Sequence, residues 1–557
     1  MENRTILAFV LSFLVLIGWS VLFGPKQEHA PENVTNTNKQ VEEGLPDVQH
    51  PSNISHNDLS QGSAGDGFGP EVEEREVRVD TPLYIACFTN VGPALKSFKL
   101  KQYRQGVDPD SPMVELFAHK KGRDDFLYVS FDNTAAATGG MEGGRLICDV
   151  DTTGVTLHKG DSPKVLVFRA VTKNGLMIRQ TYRFYPDRYK IDLTIDVANS
   201  SDQPARGTFR ADVKVFPPAK KKGYYSYVGL VGMLDDKLEK IKTGKKSDQK
   251  VFKGRIDWIA YEDAYFISAV IPEKKVPGIF KGAMLSTGLL EGSYIGQYTT
   301  IEPEDRLSSS YTLYLGPRDL EILKRLGKGL DRAVNFGWTD IIARPLLYTL
   351  RFFNRYVNNY GISIILLTVL VKIIFWPLTR KSYQSMKQMQ KLQPMMARIR
   401  EKYKDNREQL NREMMALYKT YKVNPLGGCL PMIIQIPVFF ALFRILGSAI
   451  ELRHAPFMFW INDLSAPDRL FNFAFKIPFM SPPYGIPVLT LLMGASMFIQ
   501  QKMTPTPGDP TQAKLMMFLP VIFTFMFINF PSGLVLYWLV NNILSIGQQY
   551  QIQKRSA

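Results

Sequence analysis

Residues 361–379 read GISIILLTVLVKIIFWPLT, and residues 380–422 continue RKSYQSMKQMQKLQPMMARIREKYKDNREQLNREMMALYKTYK. The first stretch is apolar apart from Lys372 and a few small polar residues. At about 1.5 Å of rise per residue, it makes a helix close to the ~30 Å thickness of a hydrocarbon core. The second stretch holds twelve basic residues against four acidic ones, Glu401, Asp405, Glu408 and Glu413. A basic excess beside a span marks the cytoplasmic side. The two stretches together define a membrane protein with this loop inside the cell.

Further apolar runs extend that frame. Residues 430–450, 485–503, 515–530 and 534–550 read as a third to a sixth span, the last two joined by the tight turn Pro531-Ser532-Gly533. Several are short for the bilayer, which invites local thinning. At the other end, 1–24 contains the apolar run Ile6–Phe23 after Arg4, with no small-x-small cleavage site and no lipobox cysteine. It reads as an uncleaved signal anchor, the first span. Residues 25–70 are rich in Asn, Gln, Ser, Gly, His and Pro and read as a flexible linker. Parity then puts both termini, including the short tail 551–557, in the cytoplasm. The large soluble segment and the loop 451–484 lie outside. Lys502, Lys514, Lys554 and Arg555 fall inside on this count.

Residues 71–316 alternate in strand fashion, as in KVLVFRAV (164–171), LMIRQTYRFY (176–185), YKIDLTIDV (189–197) and SSSYTLYL (308–315). They predict a β-sandwich. Residues 317–340 change period: Leu323, Leu326, Leu330 and Val334 share one helical face. An amphipathic helix on the membrane surface is expected there, with packing on the β-domain as the alternative. The fold class is therefore a membrane α-helical bundle, five core spans plus an N-terminal anchor, carrying a large β-sandwich domain.

The chain's +16 net charge would ordinarily suggest nucleic acid, but the basic residues concentrate between apolar runs, so an anionic membrane face is the first reading. The three cysteines, Cys87, Cys148 and Cys429, have no zinc-like spacing. A Cys87–Cys148 bridge is left open. No nucleophile elbow, phosphate loop or metal cluster appears, so no enzyme, cofactor or metal is expected.

Two features carry candidate chemistry. Lys372 sits in a span near its cytoplasmic end, with Thr368 one turn back, Gln435 in the third span, and Tyr537, Asn541, Ser545 and Gln548 at helical spacing in the last. Polar side chains at membrane depth normally face a wet cavity or the bundle interior. Snorkelling of Lys372 and simple helix–helix hydrogen bonding are the alternatives. The basic loop reads as a helical hairpin, 380–423, broken near Lys404-Asp405-Asn406. Met386, Met389, Leu392, Met396, Met414 and Leu417 form its seam. That seam either packs on itself or offers adaptable Met side chains to apolar partners.

The segments WPLT (376–379), QPMMARIREKY (393–403), NPLGGC (424–429), ELRHAPF (451–457) and FPSGLVLYW (530–538) make the chain resemble the YidC membrane-protein insertases along nearly its whole length. The resemblance implies a hydrophilic groove in the cytoplasmic half of the bilayer. Lys372 is its charge, where arginine is usual. Thr368, Gln435, Tyr537, Asn541 and Ser545 are its polar lining. A client's apolar segment would leave sideways against the third and last spans, past Ile436, Phe439, Phe440 and Trp538, with Met386, Met389, Met396 and Met414 as hairpin contacts. The resemblance also implies a β-supersandwich-like periplasmic domain not credited with catalysis, and a monomer in the bacterial inner membrane. Its partners would be nascent inner-membrane proteins, the Sec translocon, the ribosome, the signal-recognition pathway and membrane lipids. The short C-terminus lacks the long basic tail some members present to ribosomes. Two other readings stand beside this one. One is a small-solute transporter or channel. The other is an envelope carbohydrate-binding protein using Trp258, Tyr261 and Tyr265.

Overall fold

Period-two alternation decides which side of each strand is buried. In Lys190–Asn199 the residues Ile191, Leu193, Ile195 and Val197 are fully buried, while their neighbours stay partly accessible. Each such aliphatic side chain contributes about 1.5–3 kcal/mol by leaving water. In this computed structural model the described residues are 75–117, 119–120, 123–124, 126–132, 147–172, 174–217, 227–242, 249–285, 288–421, 423, 430–503 and 510–554. The expected anchor, the linker and the NPLGGC segment lie outside them.

From Glu76 to Pro317 the described chain is mostly strand. A central antiparallel run passes from Lys164–Val171 to Leu176–Phe184, Lys190–Asn199, Arg306–Pro317, Phe266–Pro272 and Lys250–Glu262. The ladders join into one closed network. Alternation alone suggested two facing sheets. Long strands change partners along their length, which links the ladders. Lys250–Glu262 pairs with Val276–Met284 through its first half and with Phe266–Pro272 through its second. Trp258 is fully buried, its indole N–H donating to the Lys328 carbonyl at 3.2 Å, and Tyr261 is buried beside it. Both serve the core. Cys87 and Cys148 are unbridged thiols, and burial pushes them up to about 11 and about 12.

Residues 317–340 are not one helix. Asp319 caps a short α1, Leu320–Leu326, by accepting from the Glu321 and Ile322 amides. Gly327 and Gly329, both at positive φ, stop it, and a 3-10 turn Leu330–Ala333 follows. Leu323 and Leu330, placed by their spacing on a membrane-facing stripe, are fully buried against the protein. The segment is a strap. Arg318 fastens it, donating to the carbonyls of Asp263 at 2.6 Å and Ala333 at 2.7 Å. The amphipathic helix begins later, as α2, Asp340–Val357. It buries Ala343, Leu347 and Leu350 and exposes Ile341, Phe352 and Tyr356.

The helical core follows. Helix α3 spans Tyr360–Lys402 without interruption, so the second span and the first arm of the hairpin are one rod. Pro377 removes a backbone donor from it, and two residues on, the Thr379 hydroxyl turns back on its own helix toward the carbonyls of Phe375 (3.0 Å) and Trp376 (3.1 Å). Helix α4, Arg407–Thr420, completes the hairpin. Then come α5 (Leu430–Ser448), α6 (Val488–Met503), α7 (Pro510–Phe527) and α8 (Ser532–Lys554). Among the described residues only α3 is long and apolar enough to cross a membrane by itself, and the 16-residue α6 reaches only about 24 Å. Helix α8 packs against α3 and α6, α6 against α7, and α2 against α3 and α5.

The segment 451–457 joins core to sheet domain. Glu451 pairs with Arg351 of α2, which also meets Asp319 and Glu321, each at 3.3 Å. Arg453 lies over the rings of Tyr265 (5.7 Å) and Phe266 (5.6 Å) and donates to the Arg104 carbonyl. Phe457 lies on Gly361, and its carbonyl accepts from Asn359 at 3.0 Å. A Cβ on Gly361 would run into the Phe457 ring. Gly361→Ala is therefore expected to destabilise the core by about 1–3 kcal/mol, the usual cost of overpacking. Thermal melting in detergent should show the loss, and adding Phe457→Ala should recover part of it. Equal melting of Gly361→Ala and the parent would refute the contact.

Candidate functional site

The last helix carries more polar side chains than an apolar bundle can leave unpartnered. On α8, Tyr537, Asn541, Ser545 and Gln548 fall on one face by helical spacing, and Asn542 and Gln549 on the adjacent one. The first face meets α5 and α3. Gln435 donates to the Tyr537 hydroxyl at 3.0 Å, and Gln548 to Thr379 Oγ1 at 2.9 Å. Between them the Lys372 ammonium donates to Ser545 Oγ at 2.6 Å, and Ser545 donates to the Asn541 carbonyl at 2.7 Å. The second face meets α6. Asn542 donates to Ser496 Oγ at 3.0 Å, and Gln549 to the Met503 carbonyl. The result is a ladder of amides and hydroxyls with an ammonium in its middle rungs.

Lys372 lies about 18 Å along α3 from its start, and Ser545 about 20 Å along α8, so they meet at matching depth. Among the described residues no carboxylate pairs with Lys372. An ammonium has three donors, and one hydroxyl occupies only one of them. Gln548 Oε1 and Gln549 Oε1 are buried without a hydrogen-bond partner among the described residues. Such groups favour water or a polar ligand beside them. Thr368 is not on the ladder. It is buried and donates back to the Ile364 carbonyl of its own helix at 2.6 Å.

An aromatic cluster packs beside the Tyr537 end of the ladder. Phe439 of α5 meets Trp538 of α8 edge-on at 5.0 Å, and both contact Phe527 of α7. Phe440 faces Trp338 at 6.0 Å. Of the four residues expected along a client's exit path, only Ile436 is broadly exposed. In the hairpin Met389 and Met396 are buried with Leu392 and Val423, and Met414 packs against them. Met386 stands outside that cluster, half-buried. Sequence reasoning missed Asn542, Gln549 and Ser496 as partners. The doublets Asn541-Asn542 and Gln548-Gln549, seven residues apart, were the available signal for two polar faces.

A helical core with a buried polar ladder, strapped to a large sheet domain at one end, defines an integral membrane protein built around a polar interior. Comparison with known proteins narrows the class. The family model described as YidC periplasmic domain matches residues 76–349, and that described as 60Kd inner membrane protein matches 352–557. A membrane protein insertase YidC of Pelobacter propionicus is 42% identical over 558 residues, covering 100% of this chain and 99% of its own. Another, of Geobacter metallireducens, is 41% identical over 561 residues, with the same coverage. A solved structure of an active YidC insertase covers 86% of this chain and 93% of its own at 18% identity and a TM-score of 0.38. The chain belongs to the YidC family of membrane protein insertases. It is an inner-membrane protein with a mostly sheet periplasmic domain and a helical core.

The ladder itself is testable. A double-mutant cycle of Asn542→Leu and Ser496→Ala, read by unfolding in detergent, should return a coupling of about 0.6 kcal/mol, typical of such bonds between membrane helices. Strictly additive losses would mean the two side chains do not interact.

Proposed function

We propose that this protein inserts nascent inner-membrane proteins by letting their polar flanks enter the Lys372 ladder while their apolar segments pass sideways into lipid. The observation that carries the reading is Lys372, bonded only to the Ser545 hydroxyl and facing no carboxylate among the described residues. A charge in an apolar bundle costs several kcal/mol unless something offsets it, so the site attracts acidic groups and water. The aromatic cluster of Phe439, Phe527 and Trp538 flanks the ladder at its Tyr537 end, away from Gln548. The flank rests in the cytoplasmic half until the apolar segment leaves. Burial of about twenty apolar residues drives the step, with no nucleotide, cofactor or metal.

The rest of the assignment follows from this. Five core spans, α3 and α5 to α8, join an N-terminal anchor, which makes six, with both termini in the cytoplasm. The hairpin α3–α4 stands on the cytoplasmic side with its basic exterior toward ribosomes and anionic lipid, and Met386 meets clients first. Helix α2 lies in the periplasmic interface. The periplasmic domain is a supersandwich of long shared strands. The protein acts as a monomer, alone or beside the Sec translocon and downstream of the signal-recognition pathway.

Two outcomes test it in inverted inner-membrane vesicles. Lys372→Glu should slow insertion of acidic-flanked clients about tenfold, equivalent to about 1.4 kcal/mol, while Lys372→Arg inserts normally. Normal insertion by the glutamate variant would remove the charge from the mechanism. A photocrosslinker at Ile436 should capture a stalled client's apolar segment strongly, and one at Trp538 weakly, because that ring is packed against Phe439 and Phe527. Failure to capture at Ile436, with the client still inserted, would place the exit elsewhere.

A further inference from the structure

The loop 456–487 between α5 and α6 uses most of its charged groups internally and turns four of its phenylalanines outward. Phe459, Phe471, Phe475 and Phe479 are 87%, 66%, 65% and 85% exposed. Three of them, Phe459, Phe471 and Phe479, hold φ near +60°. That left-handed conformation is unfavourable for a bulky side chain and persists only where the surroundings impose it.

The surroundings do impose it. Asp463 accepts from the His454 amide (3.1 Å) and from the Ser465 amide (2.8 Å) and hydroxyl (2.7 Å). Asp468 accepts from the Trp460 indole and the Leu489 amide at the start of α6. Arg469 donates to the carbonyls of Pro483 (2.9 Å) and Ile528 (2.8 Å). Asn529, just past α7, donates to the Phe479 carbonyl at 2.8 Å and accepts from the Ser481 amide at 2.7 Å. The loop is therefore stapled to the ends of the helices, and its most exposed large side chains are phenylalanines. Of its four charged residues three are used inside, and Lys476 alone is exposed beside Phe475.

Two observations identify the occupant of this face. It is continuous at Ile486 and Asn529 with the exposed apolar faces of α6 and α7, such as Leu491, Leu492, Phe518 and Phe525, which in an inner-membrane protein meet lipid. One exposed lysine beside aromatics is also the composition that suits anionic headgroups above acyl chains. Arg453 ties the start of the loop to the periplasmic domain, which fixes the leaflet. We propose that residues 456–487 form a rigid aromatic plate seated in the periplasmic leaflet, with Phe459, Phe471, Phe475 and Phe479 at the top of the acyl chains and Lys476 at the phosphates. The plate holds the short α6 and α7 at a set depth.

The test uses the unaltered full chain in phosphatidylethanolamine–phosphatidylglycerol vesicles containing a lipid with a diazirine high on one acyl chain. Adducts on peptides covering 458–479, at yields within about threefold of those on 516–526, are the expected result. Adducts on 516–526 with none on the loop would overturn the proposal and leave the plate free for a protein partner. A nitroxide at residue 479, in a chain with Cys87, Cys148 and Cys429 replaced by alanine, gives an independent reading. It should be relaxed by oxygen and shielded from a nickel chelate, as a label at Ile522 would be. Relaxation by the chelate as strong as for a label at the exposed sheet residue Val171 would equally overturn it.

Discussion

Side-chain amides and hydroxyls in a bilayer cannot be satisfied by lipid, and the helical core is organised around that constraint. The polar residues of α8 face α3, α5 and α6 because those helices carry Lys372, Thr379, Gln435 and Ser496 at matching heights. The ladder also explains why α8 packs among three neighbours rather than against one. Its two faces are one residue apart, so both can be satisfied only between helices. Where no partner is found among the described residues, at Gln548 Oε1 and Gln549 Oε1, the polar interior has capacity left over.

The opposite end of the core obeys a packing rule instead. Short helices cannot fix their own depth, so their ends are tied by side chains that reach across the loops. Arg351, Arg453, Asp468 and Arg469 each bind groups far away in sequence, and Gly361 lets the Phe457 ring sit directly on a helix start. The aromatic cluster of Phe439, Phe527 and Trp538 joins three helices beside the Tyr537 end of the ladder.

Much of the site was legible from spacing alone. Tyr537, Asn541, Ser545 and Gln548 recur with the helical period, and Lys372 is conspicuous in an apolar run, so their convergence could be anticipated. Thr368 shared the same spacing but turned to its own Ile364 carbonyl, an option every helical threonine has and no pattern reveals. Phe439 and Trp538 looked like a surface for clients, yet they pack on each other and on Phe527, because an apolar ring reads the same whether it faces lipid, client or neighbour. The strap 317–340 misled for a related reason. Its leucines have helical spacing, but Gly327 and Gly329 break the helix and the sheet domain absorbs its apolar face.

By itself the sequence determined what local chemistry dictates. Apolar runs of fixed length, a basic loop beside a span, two-residue alternation in the strands and a polar period on the last helix all act over a few residues, so they can be read without a fold. Tertiary structure alone decided which polar face found which partner, that long strands would shift between ladders, and that the amphipathic helix would be Asp340–Val357. Those outcomes depend on contacts between residues far apart in the chain, such as Lys372 with Ser545 and Glu451 with Arg351. The free energy of such a contact belongs to the pair, and one strand of sequence presents only its members.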